Sequence, residues 1–164
     1  PWPGFIVAPS PECETIADSL EAAGSRRAGV DDLDATRILA GWPALGHEVD
    51  EKTLPQEVRF EELGGVSYTK GCYVGQETVA RVHFRGHVNR QLRGLAWEGP
   101  PPEQPAIEAG NKSVGRLTSA LQVEERGYGL AMLRREVEHG AVVSIGGMNA
   151  TVERLPFPVP AVAA

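Results

Sequence analysis

The spacing of apolar residues changes along the chain, and helical spacing dominates the early part. Residues 4–8 form a short apolar run that is typical of a strand. The apolar members of residues 16–23 then recur at the spacing of an amphipathic helix. Ser10 is a favourable N-cap, Pro11 suits the first helical position and Gly24 is a favourable stop. The pattern predicts a strand followed by a helix.

The next segments are less regular. Residues 29–41 have acidic residues near their start, carry Leu33, Ile38 and Leu39 as apolar members, and end at a glycine. This pattern predicts a helix that runs into a short strand. Residues 42–65 are rich in glycine, proline and acidic residues, and predict an irregular segment that wraps over a surface or pocket.

Residues 75–84 fit two patterns. As a helix they place Val79 and Val82 on one face, whereas as a strand they place on one side Thr78, Ala80, Val82 and Phe84. We favour a short helix that gives way to extended chain near Phe84.

After Gly86 the sequence becomes a series of short extended pieces with turns between them. These pieces are residues 88–99, 112–123, 126–137, 141–145 and 149–157. Their regular spacing predicts a small antiparallel β-barrel. We therefore expect an α+β fold with two domains, residues 1–86 and residues 87–164, in which residues 156–164 form a loosely packed tail.

The distribution of charge is more informative than its total. The net charge of −6 and the pI near 5.3 are unlike those of dedicated nucleic-acid-binding domains. Residues 70–95 nevertheless carry five basic residues and one acidic residue. This cationic stretch, with Arg81, Arg85, Arg90 and Arg93, predicts either contact with an anionic ligand tail, a nucleic acid or an acidic partner, or a solvated surface.

Several sequence features bear on location and on metal binding. No apolar run approaches the roughly 18 residues that a membrane span needs. No basic-then-apolar leader is visible, so we expect a cytoplasmic protein, and the start at Pro1 suggests a fragment of a longer chain. Cys13 and Cys72 lack metal-ligand spacing with each other or with the four histidines. We expect no metal site made by this chain alone.

The eight residues KGCYVGQE, residues 70–77, are the main candidate for chemistry. Gly71 and Gly75 allow a tight bend, and the ammonium of Lys70 beside Cys72 favours a thiolate. A reactive thiol and an inert buried cysteine both remain open. The two residues at its end can recognise a planar donor–acceptor edge, or can simply form the first turn of a helix.

Residues 64–86 closely resemble the signature of the YgfZ family of folate-binding proteins, which are relatives of the glycine-cleavage T-protein. The family also includes a mitochondrial iron–sulfur assembly factor of the same type. The core K-G-C-Y-x-G-Q-E matches at seven positions, and the similarity extends over residues 34–57 and the strands after Gly86. The resemblance implies a T-protein-like α/β, ferredoxin-like portion followed by a C-terminal β-barrel.

The resemblance also implies a ligand and site residues. It points to tetrahydrofolate, or a one-carbon derivative, bound partly by a half of the family fold that this chain lacks. Cys72 becomes the candidate reactive thiol with Lys70 beside it. The candidate folate-binding residues are Arg37, Tyr73, Gln76, Glu77 and Arg81. For Arg37 a structural salt bridge to Asp34 or a neighbouring acid stays open as the alternative.

Three functions remain open at this point. The resemblance favours a folate-binding accessory factor in iron–sulfur cluster assembly or repair, acting with iron–sulfur proteins or assembly factors and linked to tRNA-modifying enzymes. An aminomethyltransferase is the alternative, although Leu39 stands where many of those enzymes carry glutamate and their catalytic aspartate lies in the absent half. Direct RNA binding through the arginines of residues 81–93 is the third.

Overall fold

The structure is a computed structural model and describes residues 8–158. The chain divides into two compact units, Pro1–Asp34 and Ala35–Ala164. The predicted strand at residues 4–8 lies outside the described residues except for Ala8. Of the predicted tail only residues 156–158 are described, and loose packing is wrong there because Phe157 is buried.

The first unit contains the predicted early helix. A 3-10 helix, Ser10–Glu12, leads directly into α1, Cys13–Ala22. Gly24 follows at φ +94°, so a glycine stops the helix as the sequence predicts. The N-cap prediction is wrong, because Ser10 already belongs to the 3-10 helix and Pro9 occupies the capping position without a side-chain hydrogen bond. Pro11 fixes a helical φ, which extends the helical turn back to Ser10.

Helix α2, Val30–Ala40, ends in a Schellman motif at a glycine. Gly41 has φ +69°, its N–H donates to the Ile38 carbonyl, and the N–H of Trp42 donates to the Arg37 carbonyl. The chain stays helical up to this point, so the predicted short strand at the end of residues 29–41 is wrong. A buried Ile38 favours the helix here, because it packs against the barrel through the helix face.

Replacing Gly41 by alanine is expected to lower the free energy of unfolding by about 1–3 kcal/mol. A side chain at φ +69° is strained, and its Cβ would lie 2.7 Å from the Leu155 Cβ and against the Arg59 guanidinium. Urea unfolding followed by circular dichroism measures the change. Gly46→Ala is the matched control, since Gly46 also has positive φ but has open space around its Cβ position. Equal losses in the two variants would show that packing at Gly41 contributes nothing.

An irregular segment joins α2 to α3, Gln76–Arg85. It contains a 3-10 helix, Pro55–Glu57, and an isolated bridge between Leu45 and Val49. The helical interpretation of residues 75–84 is therefore correct, and the helix continues one residue past Phe84. The predicted domain boundary near Gly86 falls between α3 and the first strand, within the second unit.

Six antiparallel strands close into a barrel, which confirms the predicted fold class. The strands are β1 Arg90–Glu98, β2 Ala106–Ala109, β3 Lys112–Val123, β4 Arg126–Arg134, β5 Val142–Ile145 and β6 Met148–Glu153. Their order around the barrel is β1-β4-β3-β2-β5-β6. Sequence reasoning missed β2, because this four-residue strand follows a proline-rich turn and buries only Ile107.

The second unit has two apolar clusters, one inside the barrel and one on its outer surface. The interior cluster consists of Leu95, Trp97, Ile107, Val114, Leu117, Ala131, Leu133, Val137, Val143, Ile145, Ala150 and Val152. The outer cluster consists of Ile38, Leu92, Ala96, Tyr128, Leu130 and Phe157. Alternate residues of β1 enter the two clusters, as the period of two along a strand requires. The outer cluster holds α2 against the barrel.

A β-bulge in β3 changes which face its residues occupy. The register shifts between Leu117 and Ser119, where Leu117 pairs with Ala131 and Ser119 pairs with Leu130. Thr118 is the extra residue, and its Oγ1 donates to the Leu130 carbonyl at 2.8 Å. Leu117 therefore packs inside the barrel while Ser119, only two residues later, lies on the outer surface.

Candidate functional site

The KGCYVGQE segment forms an exposed bend that leads into α3. Cys72 is a free, exposed cysteine, and Lys70 and Gly71 beside it are also exposed. Gly75 adopts φ +85° at the N-cap of α3, a conformation that favours glycine. Of the two alternatives for Cys72, the structure excludes an inert cysteine buried in the core. The thiol is open to solvent and to partners.

Local contacts hold the bend in shape. The Lys70 ammonium lies 4.9 Å from the centre of the Tyr73 ring, which is a cation–π geometry. The Gln76 Oε1 accepts a hydrogen bond from the Tyr73 N–H at 3.2 Å, so this amide stabilises the turn. Glu77 lies exposed in the first turn of α3, where the positive end of the helix dipole stabilises a carboxylate.

An aromatic cluster packs α3 against the segment before the bend. Sequence reasoning missed this cluster. The rings of Tyr68 and His83 stack with centroids 3.8 Å apart, and Phe84 meets both rings edge-on. Glu61 accepts a hydrogen bond from the Tyr68 hydroxyl and also contacts His83 Nδ1 at 3.0 Å. Burial and the hydrogen bond to Glu61 raise the pKa of Tyr68 to about 12. Tyr68 therefore stays protonated and acts as a donor across the neutral pH range.

Arg37 lies at the centre of a buried polar network. Its Nη1 donates to the Glu48 Oε2 at 2.9 Å and its Nη2 donates to the Ser119 Oγ at 2.9 Å. The Ser119 hydroxyl donates to the other Glu48 oxygen at 2.6 Å, and the Ala44 N–H also donates to Glu48. The Glu48 side chain is fully buried. This network, the Arg37–Glu48–Ser119 network, joins α2 to β3 and gives Arg37 a structural partner in Glu48.

Near the network lies a polar cavity of about 540 Å³. Its lining residues are His47, Glu48, Asp50, Thr53, Arg90, Ser113, Val114, Gly115, Arg116, Thr118, Met132 and Arg134. The volume lies within the ~300–1,000 Å³ range of small-molecule sites. Residues 70–77 do not line it, so the structure does not bring this cavity and the thiol together.

The cationic stretch does not form one surface. Arg81 and Arg85 are exposed on α3, but Arg90 on β1 makes two hydrogen bonds to Glu57, at 2.9 and 3.2 Å. That contact raises the pKa of Arg90. Arg93 is partly buried and lines a second cavity, separate from the polar cavity that Arg90 lines. Arg81 is the member that remains exposed next to the signature.

Residues 8–158 lack two features, a metal-binding cluster and a membrane-spanning helix. These residues contain no group of three or more His, Cys, Asp or Glu side chains that is arranged to hold a metal ion. The same residues contain no helix that is both long and apolar enough to span a membrane.

The chain is similar in sequence to several known proteins. Residues 84–157 match the C-terminal β-barrel domain of the CAF17 family. A tRNA-modifying protein YgfZ from Cronobacter sakazakii is 28% identical over 164 residues, which is 93% of this chain and 50% of that protein. The chain is related to the YgfZ proteins. It spans about half the length of the YgfZ proteins that it matches along most of its own length.

Two further similarities extend this relationship. The mitochondrial iron–sulfur cluster assembly factor IBA57 of Mus musculus is 36% identical over 90 residues, which is 53% of this chain and 25% of that protein. The solved structure of glycine cleavage system aminomethyltransferase T from Bartonella henselae matches with a TM-score of 0.71 and 17% identity. The match covers 88% of this chain and 43% of that protein, and it shows that this chain has part of the aminomethyltransferase T fold.

The site residues predicted from the sequence fall into two groups. Lys70, Cys72 and Tyr73 lie together at the bend, with Gln76, Glu77 and Arg81 on the helix that follows. Arg37 lies instead in the Arg37–Glu48–Ser119 network. The signature itself identified the first group, whereas the aromatic residues that brace it gave no sequence signal beyond their nearness to the signature.

Proposed function

We propose that this chain is part of a tetrahydrofolate-binding accessory protein that supports assembly or repair of iron–sulfur clusters, including clusters of tRNA-modifying enzymes. The observation that carries the proposal is the exposed Cys72 thiol, which lies in a glycine bend beside a lysine. The relatives that motivate it are named a tRNA-modifying protein and an iron–sulfur cluster assembly factor.

The exposed position of the Cys72 thiol allows it to contact a partner protein. An exposed cysteine is accessible to a partner, and cysteine sulfur is the usual protein ligand of iron–sulfur clusters. A chain whose described residues offer no three-ligand metal group would hold a cluster intermediate only together with a partner. We therefore assign Cys72 the role of a transient ligand or contact during cluster transfer, with Lys70 supporting it.

The groups on α3 fit one wall of a folate site. Glu77 supplies an exposed carboxylate acceptor and Arg81 an exposed cationic donor, and residues four apart lie on the same helix face. When bound, tetrahydrofolate would supply one-carbon chemistry, while these side chains would bind and orient it. Arg37 is not part of this wall, because it lies in the Arg37–Glu48–Ser119 network. The similarity to aminomethyltransferase T shows a shared fold, and no observation here favours that enzyme's reaction.

Replacing Cys72 by alanine is expected to abolish restoration of iron–sulfur enzyme activity, because alanine removes the only thiol of the bend. The assay places each variant in cells from which the protein has been removed and measures the activity of a cluster-dependent tRNA-modifying enzyme. Cys13→Ala is the matched control, since Cys13 is also free and exposed but lies in the first unit. Unchanged circular dichroism would exclude unfolding as the cause of the loss.

Wild-type restoration by Cys72→Ala would remove the thiol from the proposed function. Tetrahydrofolate binding, measured by fluorescence titration in the same variants, separates the two halves of the proposal. Cys72→Ala is expected to bind folate normally, since the folate contacts are assigned to α3. A protein that binds no tetrahydrofolate would contradict the cofactor assignment while leaving the role of Cys72 to the cellular assay.

A further inference from the structure

A second cavity, smaller and more strongly cationic, lies at the start of β1 and the end of β6. Its volume is about 250 Å³, and its lining residues are Arg59, Glu62, Leu92, Arg93, His139, Arg154 and Leu155. Three arginines and one histidine thus face a single acidic residue. We call it the arginine cavity.

Arg93 is the residue that makes this cavity unusual. Its Nη1 donates to the His139 Nε2 at 2.9 Å and its Nη2 donates to the Gln91 Oε1 at 2.5 Å. Its Nε is buried and has no hydrogen-bond partner within the part of the chain that the structure describes. A buried charged donor without an acceptor is costly, and such groups in native proteins call for an explanation such as a bound ion.

His139 does not neutralise this charge. Its Nε2 accepts a hydrogen bond from Arg93, which requires the uncharged ring. Burial and the positive charges of Arg93 and Arg154 lower the pKa of His139, although the Glu153 backbone carbonyl opposes the shift. The histidine is therefore neutral at pH 7 and orients the Arg93 guanidinium.

The remaining charges leave two cations uncompensated. Arg59 is fully engaged, because it pairs with Glu62 at 2.9 Å and donates to the carbonyls of Gly41 and Leu155. Glu62, the one acidic residue of the lining, pairs with Arg59, and its single negative charge also acts on Arg93. Arg154 is exposed and has no ion-pair partner among residues 8–158. Arg93 and Arg154 both remain available to an anion.

We propose that the arginine cavity binds a phosphoryl group, either as free phosphate or as a phosphate monoester. A dianion balances the two uncompensated cations, and its tetrahedral oxygens can accept both from the buried Arg93 Nε and from the Arg154 fork. At ~30 Å³ per water, 250 Å³ holds roughly eight waters, which suits a phosphoryl group but falls below the ~300 Å³ where small-molecule sites begin. This site goes beyond the proposed function, which uses neither arginine.

Titration of the purified chain with inorganic phosphate tests the proposal, with ionic strength held constant by sodium chloride. The readout is the arginine Nε–H region of the ¹H–¹⁵N correlation spectrum, in which the Arg93 signal is the one that Arg93→Lys removes. We expect a saturable shift of that signal. Arg154→Gln is expected to weaken binding about tenfold, the effect of losing one charge-assisted hydrogen bond.

Three comparisons make the titration decisive. Lys112→Gln is the matched control, because it removes one exposed charge from the same unit outside the cavity and is expected to bind phosphate normally. Binding of phosphate alone identifies the free ion, and binding of methyl phosphate as well identifies a monoester. No saturable shift, equal binding by Arg154→Gln, or acetate bound as tightly as phosphate would each overturn the proposal.

Discussion

Replacing Glu48 by alanine is expected to lower the free energy of unfolding by about 3–5 kcal/mol. The Glu48 carboxylate is fully buried and accepts hydrogen bonds from Arg37, Ser119 and the Ala44 N–H. Removing it deprives the guanidinium of Arg37 of a buried countercharge and leaves the Ala44 N–H without this acceptor. Urea unfolding followed by circular dichroism measures the loss.

A second ion pair of the same length provides the control. Glu62 contacts Arg59 at 2.9 Å, the distance between Arg37 and Glu48, but its side chain is 63% exposed. Glu62→Ala is expected to cost no more than about 1 kcal/mol, because solvent screens exposed pairs. Similar losses in Glu48→Ala and Glu62→Ala would show that burial of the Arg37–Glu48–Ser119 network has no energetic consequence.

Replacing Trp97 by alanine is expected to cost about 3–5 kcal/mol through loss of core packing. Trp97 is 3% exposed inside the barrel, and its Nε1 donates to the Pro100 carbonyl at 3.0 Å. The indole fits against two glycines of β4: a Cβ on Gly127 would lie 2.7 Å from its Cζ2, and one on Gly129 would lie 3.1 Å from its Cη2. Because these glycines leave room for the indole ring, replacing Trp97 by alanine would leave a large cavity in the barrel core.

The loss at Trp97 is measured by chemical unfolding monitored through the far-ultraviolet dichroism of the barrel. Val142→Ala, on β5 with 63% exposure, is the control and is expected to change stability by less than about 0.5 kcal/mol. Trp97→Phe is expected to fall between the two, because it keeps an aromatic ring but loses the hydrogen bond. A Trp97→Ala variant as stable as Val142→Ala would contradict the assignment of Trp97 to the barrel core.

The barrel strands were predictable because most of them are extended segments bounded by turn residues in the local sequence. Residues 112–123 form β3 with the predicted bounds, since a Gly-Asn turn precedes them and a pair of glutamates follows them. The four residues of β2 carry no such signal, and this strand depends on its pairing with β3 and β5. The helix at residues 76–85 needed tertiary information to be separated from a strand, because short runs satisfy both periods.

The sequence names candidate site residues, but it does not give their geometry. The signature named Cys72, yet only the structure distinguishes an exposed thiol from a buried one. Ser119 could not be recognised as a partner of Arg37, because it lies 82 positions away, whereas the structural salt bridge that the sequence left open for Arg37 is formed with Glu48. His139 lies 46 positions from Arg93, so the arginine cavity also arises from the closure of the barrel and from no local motif.

The bulge at Thr118 determines which residue of β3 faces α2. Because the bulge reverses the side on which later residues point, Ser119 meets Arg37 instead of entering the barrel. If Thr118 were instead paired regularly with Leu130, Ser119 would point into the apolar interior and the Arg37 guanidinium would lose its hydroxyl partner on β3. One strand therefore serves two layers, with Leu117 in the barrel interior and Ser119 against α2.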